Sequence, residues 1–357
     1  MKNTRFLIAS GGTGGHFYPG FALGKALQQQ GAQVLFVVRQ NDPAMATLSA
    51  NGLAYKQINL TGLPRSFNPV RHVRFVVKLL QSLAQTRQII RDFKPHVTLG
   101  MGGYVSFPLI FCAHQMGIKT AVHDSNAIWG LSNKICAHFA DLRLMGLPMQ
   151  HPLKNAVLAS TPIRAEFAQS VSRAEVLSAL GLNPQTPTVL ILGGSQGAKG
   201  LNEALPTVVK SLAQWQFIQL TGTRWYEQQQ AAYAGLSNIK TLAYSEEIYK
   251  LIKSVDLMLC RSGASTLAEV IACQVPAVLV PFPHAAANHQ YFNAKVLADA
   301  GCAHIVQEGA DFAQRLQTCL QGIDAQGLQA MRKAYADLSI PNPLEATQQI
   351  TQMLIKL

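Results

Sequence analysis

The chain has 357 residues, 48% of them hydrophobic and 13% charged, with a formal net charge of +12. That is room for two domains with sizeable cores, and it excludes a disordered or low-complexity protein. The charge excess lies wholly in residues 1–160, which hold 16 Lys and Arg against 4 Asp and Glu, while residues 161–357 hold 14 of each; one domain is therefore expected to face an anionic partner, either nucleic acid or an acidic membrane.

In chain order, short apolar runs at 6–10, 33–38, 55–58, 97–99, 120–123 and 142–145 read as strands, and 20–30, 43–51 and 70–92 read as helices. Residues 95–118 carry no Lys, Arg, Asp or Glu and could span a bilayer by length. His96, Pro108, His114 and Gly100-Met101-Gly102-Gly103 instead make them a buried strand, a loop and a helix. Pro and small residues at 156–167 read as a linker. The alternation then restarts with strands at 188–192, 217–220, 239–242, 255–260 and 277–280, and two helices over 311–338. A Pro-rich break at 339–343 precedes a last amphipathic helix at 344–356. Strands alternating with helices predict an α/β protein of two Rossmann-like, doubly wound parallel-sheet domains, 1–161 and 162–340. Residues 341–357 are expected to pack back on the N-terminal domain. The expected ligand site is a cleft between the domains, at the carboxyl ends of both sheets.

Cys112, Cys136, Cys260, Cys273, Cys302 and Cys319 are scattered, without CxxC or His-ligand spacing. They read as buried thiols in a reducing compartment. The N-terminal apolar run is too short for a signal peptide.

The stretch 255–290 runs strand, small polar loop, helix, strand, loop, helix. A loop of small residues feeding a helix aims backbone N–H groups and the positive dipole end at one point, which suits a phosphate. Glu269, further along, suits two sugar hydroxyls as a hydrogen-bond acceptor. A plain crossover whose Ser and Thr cap a helix would look similar. Two glycine loops follow first strands, Gly11-Gly12-Thr13-Gly14-Gly15-His16 and Gly193-Gly194-Ser195-Gln196-Gly197-Ala198. Neither has the spacing of a dinucleotide fingerprint, and no acid ends the second strand at Val38-Arg39-Gln40 to hold a ribose.

GGTGGH at 11–16, GMGGY at 100–104, GGSQGA at 193–198, CRSGAST at 260–266 with Glu269, and PFPH at 281–284 followed by NHQ at 288–290 occur in this order. Together they resemble the MurG family of bacterial UDP-N-acetylglucosamine transferases over essentially the whole chain. The resemblance implies the GT-B glycosyltransferase fold. It implies inverting transfer of GlcNAc from UDP-GlcNAc to the 4-hydroxyl of MurNAc in undecaprenyl-diphosphate-linked MurNAc-pentapeptide (lipid I). The product would be lipid II for peptidoglycan, made at the cytoplasmic face of the cell membrane by a peripheral enzyme. Association with other cell-wall enzymes is an expectation of the same resemblance. No cofactor is implied.

Carried over by position, Gly12, Thr13 and Gly14 match residues that contact the donor. Asn126 and Arg164 match an Asn and an Arg of the donor site, and Ser195 a phosphate-contacting Ser. Ala264, Ser265, Thr266, Leu267, Ala268 and Glu269 match the nucleotide segment, with Glu269 on the ribose. Gln290 matches a Gln that meets the sugar, and Ser245 stands where backbone meets uracil. Gly15 and Tyr104 fall on the acceptor side. Two motifs depart from the pattern: His123-Asp124-Ser125-Asn126 replaces HEQN, and Thr161-Pro162-Ile163-Arg164 replaces NPVR.

The chemistry needs a stabilised leaving diphosphate and a base for the acceptor hydroxyl. No Asp-x-Asp pair occurs, so the expectation is metal-independent transfer, with helix-end N–H groups stabilising the leaving group. His16 is the candidate base, with a hydrogen bond holding its own loop as the plain alternative. Asp124, one carbon shorter than the family's Glu, is a second catalytic candidate. Residues 61–91 contain no acid, and Arg71, Arg74 and Lys78 are interleaved there with Phe67, Phe75 and several Val and Leu. Residues 83–90 read as a core-facing stripe; 67–80 read as a surface for an anionic membrane. Nucleic acid is not expected, because no binding motif accompanies the charge. A UDP-sugar 2-epimerase or a non-catalytic nucleotide-sugar binder on the same fold are the competing readings.

Overall fold

The computed structural model describes residues 4–12, 14–64, 68–194 and 197–357; Thr13, Phe67 and Ser195 of the expected site lie outside the described residues. The chain divides into two compact units, Met1–Arg164 with Ile340–Leu357, and Ala165–Ser339.

The described strands of the first unit are β1 (Arg5–Ala9), β2 (Gln33–Arg39), β3 (Ala54–Ile58), β4 (Val97–Gly100), β5 (Lys119–Asp124), β6 (Leu142–Met145) and β7 (Ala156–Leu158). They form one parallel sheet in the order β3-β2-β1-β4-β5-β6-β7. Its crossovers are α1 (Gly14–Gln29), α2 (Ala44–Ala50), α3 (Pro69–Phe93), α4 (Ser106–Gln115) and α5 (Leu131–Cys136). Phe6, Ile8, Phe36 and Val38 pack with Leu23 and Leu27 of α1 on one face. Leu7, Ala9, Leu35 and Val37 pack with Ile90 of α3 and Leu109 of α4 on the other. Successive strand residues point to opposite faces, so burial on both sides demands the unbroken apolar runs seen in the sequence.

Two expectations change here. The segment read as a linker begins with β7, which extends the sheet by pairing Arg143, Leu144 and Met145 with Ala156, Val157 and Leu158. The following Ala159, Ser160 and Thr161 are buried. The Pro and small residues there serve close packing: a Cβ on Gly146 would collide with Thr161 Oγ1. Helix α1 starts at Gly14, six residues before the expected start, and contains Pro19. Pro19 lacks an N–H and breaks the helical bond to the preceding turn. In the same turn Ser10 Oγ donates to the carbonyl of His16 at 2.9 Å, tying the end of β1 to the head of the helix. Gly14, Gly15 and His16 therefore lie in the first turn of α1.

In the second unit the described strands are β8 (Thr188–Leu192), β9 (Gln216–Leu220), β10 (Ile239–Leu242), β11 (Leu257–Cys260), β12 (Ala277–Leu279) and β13 (Ala303–Ile305). They pair in parallel in the order β10-β9-β8-β11-β12-β13. The edge strand β13 has no counterpart in the sequence reading; three residues with an exposed His304 at the centre carry no pattern. The helices are α6 (Arg173–Ala179), α7 (Lys199–Lys210), α8 (Tyr226–Ala232), α9 (Ile248–Lys253), α10 (Ala264–Cys273), α11 (His289–Asp299), α12 (Phe312–Gln321) and α13 (Ala325–Lys333). Val189, Ile191, Leu257 and Leu259 share a core with Leu201 and Leu205 of α7 and Leu316 and Leu320 of α12.

A last helix, α14 (Pro343–Ile355), belongs to the first unit. Asn342 caps it, accepting from Leu344 N at 3.1 Å, and Pro343 takes its first turn. Ala346, Ile350 and Leu354, spaced by four, join the core beside α1. Burying Ile350 and Leu354 contributes about 1.5–3 kcal/mol each. Among the described residues no helix is long and apolar enough to cross a membrane; 95–118 form β4, a loop and α4.

Candidate active site

In each doubly wound sheet the chain winds outward in both directions from one point, and the loops at that point leave a crevice at the strands' carboxyl ends. In the first unit the point lies between β1 and β4. The loop after β1 turns at Gly12, whose φ of +86° suits glycine. Gly12 N donates to Asp42 Oδ2 at 2.8 Å. Asp42 is 2% exposed, and also accepts from Arg39 Nε at 3.1 Å and Ala44 N at 3.0 Å. The loop after β4 passes directly under His16: a Cβ on Gly102 would lie 2.8 Å from His16 Nδ1, and one on Gly103 3.7 Å from its Cδ2. Both glycines have positive φ, +100° and +73°. GMGGY is thus glycine-rich for two reasons, backbone conformation and room for the imidazole. Ser106 Oγ secures that turn, accepting from Gly102 N at 2.9 Å and donating to Gly102 O at 2.8 Å. Tyr104 is exposed and covers Gly62.

Strand β5 delivers His123 and Asp124 to the same end. Asp124 is 1% exposed and accepts four hydrogen bonds. They come from Asn126 N and Nδ2, both at 3.1 Å, Gly130 N at 2.8 Å and Asn133 Nδ2 at 3.2 Å. A carboxylate has about four lone-pair sites, so Asp124 has the geometry of a fastener for loop 125–130, with no site left for an acceptor hydroxyl. Asn133 Nδ2 also donates to His123 O at 2.9 Å and lies 3.2 Å from a Cβ placed on Gly102. Asp124, Asn133, Gly102 and His16 are therefore neighbours in series. His123 is fully buried with Nε2 2.8 Å from Ser160 O, so Nε2 carries the proton. Burial holds its pKa below the ordinary value; His16 pushes the same way, and Ser160 and Asp124 oppose. Asn126 and Arg164 are half-buried.

In the second unit the winding reverses between β8 and β11. Gly194 and Gly197 have φ of +90° and +73°, and Gly197 N donates to Gly194 O at 2.9 Å. Helix α10 opens from Gly263, extended at φ −65° and ψ 136°, with no side chain to cap it. A glycine there puts no capping side chain over the first turn, the end of a helix that suits an anion. Within the expected nucleotide segment, Ala264, Leu267 and Ala268 are buried and could meet a ligand only through backbone. Ser265, Thr266 and Glu269 are half-buried, and 265 and 269 share a helix face. Gln290 ties down the loop after β12: its Oε1 accepts from Phe282 N at 3.0 Å, and its backbone O accepts from Ser262 Oγ at 2.7 Å. Ser245 is half-buried beside the exposed Tyr244. Among the described residues no group of three His, Cys, Asp or Glu gathers that could hold a metal ion.

Sequence reasoning missed Asp42, Arg261, Asn133 and Glu308. Asp42 and Glu308 sit in no recognisable motif. Arg261 carried a faint signal, as a charge directly after a buried apolar strand.

Residues 6–144 match the glycosyltransferase family 28 N-terminal domain and residues 188–345 the glycosyltransferase family 28 C-terminal domain. The crystal structure of Acinetobacter baumannii MurG is 30% identical, with a TM-score of 0.82, covering 99% of this chain and 100% of that one. A protein of Elusimicrobium minutum (strain Pei191) is 49% identical over 350 residues, covering 96% of this chain and 97% of its own. Its name is UDP-N-acetylglucosamine--N-acetylmuramyl-(pentapeptide) pyrophosphoryl-undecaprenol N-acetylglucosamine transferase. The chain belongs to the MurG family. A transferase of the same name from Lacticaseibacillus casei (strain BL23) is 33% identical over 349 residues, covering 95% of each chain. Membership in the MurG family supports the transferase reading, not the epimerase or the non-catalytic binder.

Proposed function

We propose that the chain is an inverting, UDP-GlcNAc-dependent glycosyltransferase. It moves GlcNAc to the 4-hydroxyl of MurNAc in undecaprenyl-diphosphate-MurNAc-pentapeptide and so makes lipid II for peptidoglycan. The observation that carries the reading is that every motif of the MurG family opens at the carboxyl end of a strand in its own sheet, the ligand-binding end of a doubly wound fold.

In this reading the second unit holds the donor. Glu269 accepts from the ribose hydroxyls, and the first turn of α10 with Ser265 and Thr266 receives the diphosphate. The acceptor oxygen attacks the anomeric carbon from the face opposite UDP. The bond from that carbon to the diphosphate oxygen breaks, and its electron pair leaves with UDP. The growing charge meets N–H dipoles already in place, so no reorganisation is needed at the moment of reaction. The acceptor hydroxyl's proton goes to His16, which the first unit seats on Gly102. Asp124 and Asn133 position that seat. Transfer proceeds without a metal ion, since the sequence lacks an Asp-x-Asp pair.

The first unit also meets the membrane, peripherally and at its cytoplasmic face. Helix α3 has two halves. Ser82, Thr86 and Ile90 are buried at a spacing of four, whereas no residue of 69–81 is buried. Val70 and Val73 are each 64% exposed and Leu80 61%, beside Arg71, Arg74 and Lys78. Apolar side chains among cations suit an anionic lipid surface.

The test is incubation with UDP-GlcNAc and a soluble lipid I analogue in buffer containing EDTA. A β-linked disaccharide product is expected. Formation of ManNAc, or binding without turnover, would overturn the reading.

A further inference from the structure

Arg261 follows β11 directly and precedes the loop that opens α10, a place from which a cation could serve a diphosphate. Its guanidinium is engaged elsewhere. Nη2 donates to Glu308 Oε1 at 2.6 Å, and Nη1 lies 3.2 Å from Val280 O and 3.3 Å from Pro281 O. Its Cζ sits 5.5 Å from the ring centre of Phe282. The paired side chains are 10% and 18% exposed. A charge-assisted pair this enclosed is short and directional, and removing one partner leaves the other charge poorly solvated.

The pair spans the ends of three strands. Arg261 follows β11, the carbonyls at 280 and 281 follow β12, and Glu308 follows β13. Phe282, next along the braced segment, is the residue whose N–H meets Gln290 Oε1. Glu308 is braced in turn by α7: a Cβ on Gly200 would lie 2.7 Å from its Oε1 and 3.0 Å from its Oε2. Its carboxylate thus lies over the first turn of α7, where the helix dipole favours negative charge.

We infer that Glu308 is a positioning residue of the donor site, acting by holding Arg261 across the strand ends, and that Arg261 does not touch the donor diphosphate. The inference rests on the second unit binding the donor nucleotide. The two roles open to Arg261 predict opposite signs. If Arg261 were a diphosphate ligand restrained by Glu308, neutralising Glu308 would free it, and UDP would bind as tightly as before or more tightly. If the pair is a brace, neutralising Glu308 lets Arg261 and the 280–290 segment drift, and UDP binds more weakly.

The experiment is calorimetric titration of UDP into the full chain and its Glu308→Gln variant, with steady-state transfer to a soluble lipid I analogue. The expected result is a rise of about tenfold in the Kd of UDP and the KM of UDP-GlcNAc, or about 1.4 kcal/mol. Kcat and the acceptor KM should stay within about twofold, a split that general loosening of the fold would not give. If Glu308→Gln does not fold, Gly200→Ala replaces it. That variant keeps every charge, places a methyl against the carboxylate and should weaken UDP binding in the same direction. Tighter or unchanged UDP binding in a folded variant would overturn the inference, as would a fall in kcat with UDP binding intact. Failure of the parent chain itself to bind UDP would instead sink the donor-site reading.

Discussion

Asp42 Oδ2 accepts the backbone N–H of Gly12 at 2.8 Å, so the acid that follows the second strand holds the first glycine loop shut instead of waiting for a ribose. In a dinucleotide-binding sheet the acid near this place serves the ribose hydroxyls. Here it is buried against its own loop. Asp42→Ala should therefore strand Gly12 N–H and Ala44 N, at about 1–3 kcal/mol of stability. Transfer should slow while UDP affinity stays within about twofold. Denaturant melts and UDP titration check both parts; an equal loss of UDP affinity would show that the loop holds the nucleotide itself rather than the sugar and the acceptor.

His16 rests on the Gly102 backbone at the head of α1. If it takes the acceptor proton, His16→Ala should lower kcat by about 10²–10⁴-fold with little change in UDP binding. A drop of less than tenfold would leave His16 as a loop support.

Glu269→Ala should raise the KM for UDP-GlcNAc. Loss of a charge-assisted acceptor costs about 1.5–3 kcal/mol, roughly 10- to 150-fold. Donor affinity equal to the parent's would remove Glu269 from the nucleotide site.

His123 gives the fold a pH dependence of known sign. Burial keeps it neutral in the folded chain, with a pKa below its ordinary value, although Asp124 and Ser160 pull the other way. The unfolded chain, with a His pKa of about 6.5, binds the proton first. Below that pH the unfolded state gains protons that the folded state does not, so stability falls as pH falls, by at most about 1.4 kcal/mol per pH unit. Above pH 7 this contribution is flat. Urea melts at pH 7.5 and 5.5 should show a smaller difference for His123→Gln than for the parent. An unchanged difference would assign the slope to other groups.

Replacing Arg71, Arg74 and Lys78 with Gln should weaken binding to anionic vesicles while sparing turnover of a soluble acceptor. Each cation near an anionic surface contributes about 1 kcal/mol, so about 3 kcal/mol should be lost, and added salt should reproduce part of it. Neutral vesicles should hardly distinguish the two proteins. Equal binding to anionic vesicles would make the first half of α3 an ordinary solvated face.

The sequence by itself determined where most strands lie and that both sheets are parallel and doubly wound. A strand buried on two faces has to be a continuous apolar run, and the helices between such runs carry their own period. The ordered motifs likewise identified the family, because glycine is demanded locally wherever a backbone turns with positive φ or passes under a ring, as at Gly102. Tertiary structure alone decided the rest. Strands β7 and β13 are three residues each, too short to hold a pattern, and exist because a neighbouring strand offers its edge. Asp42 reaches back 30 residues to Gly12, and Glu308 reaches 47 to Arg261. A hydrogen-bond donor's need for an acceptor is local chemistry, but which acceptor meets it depends on which strand ends the sheet order brings side by side.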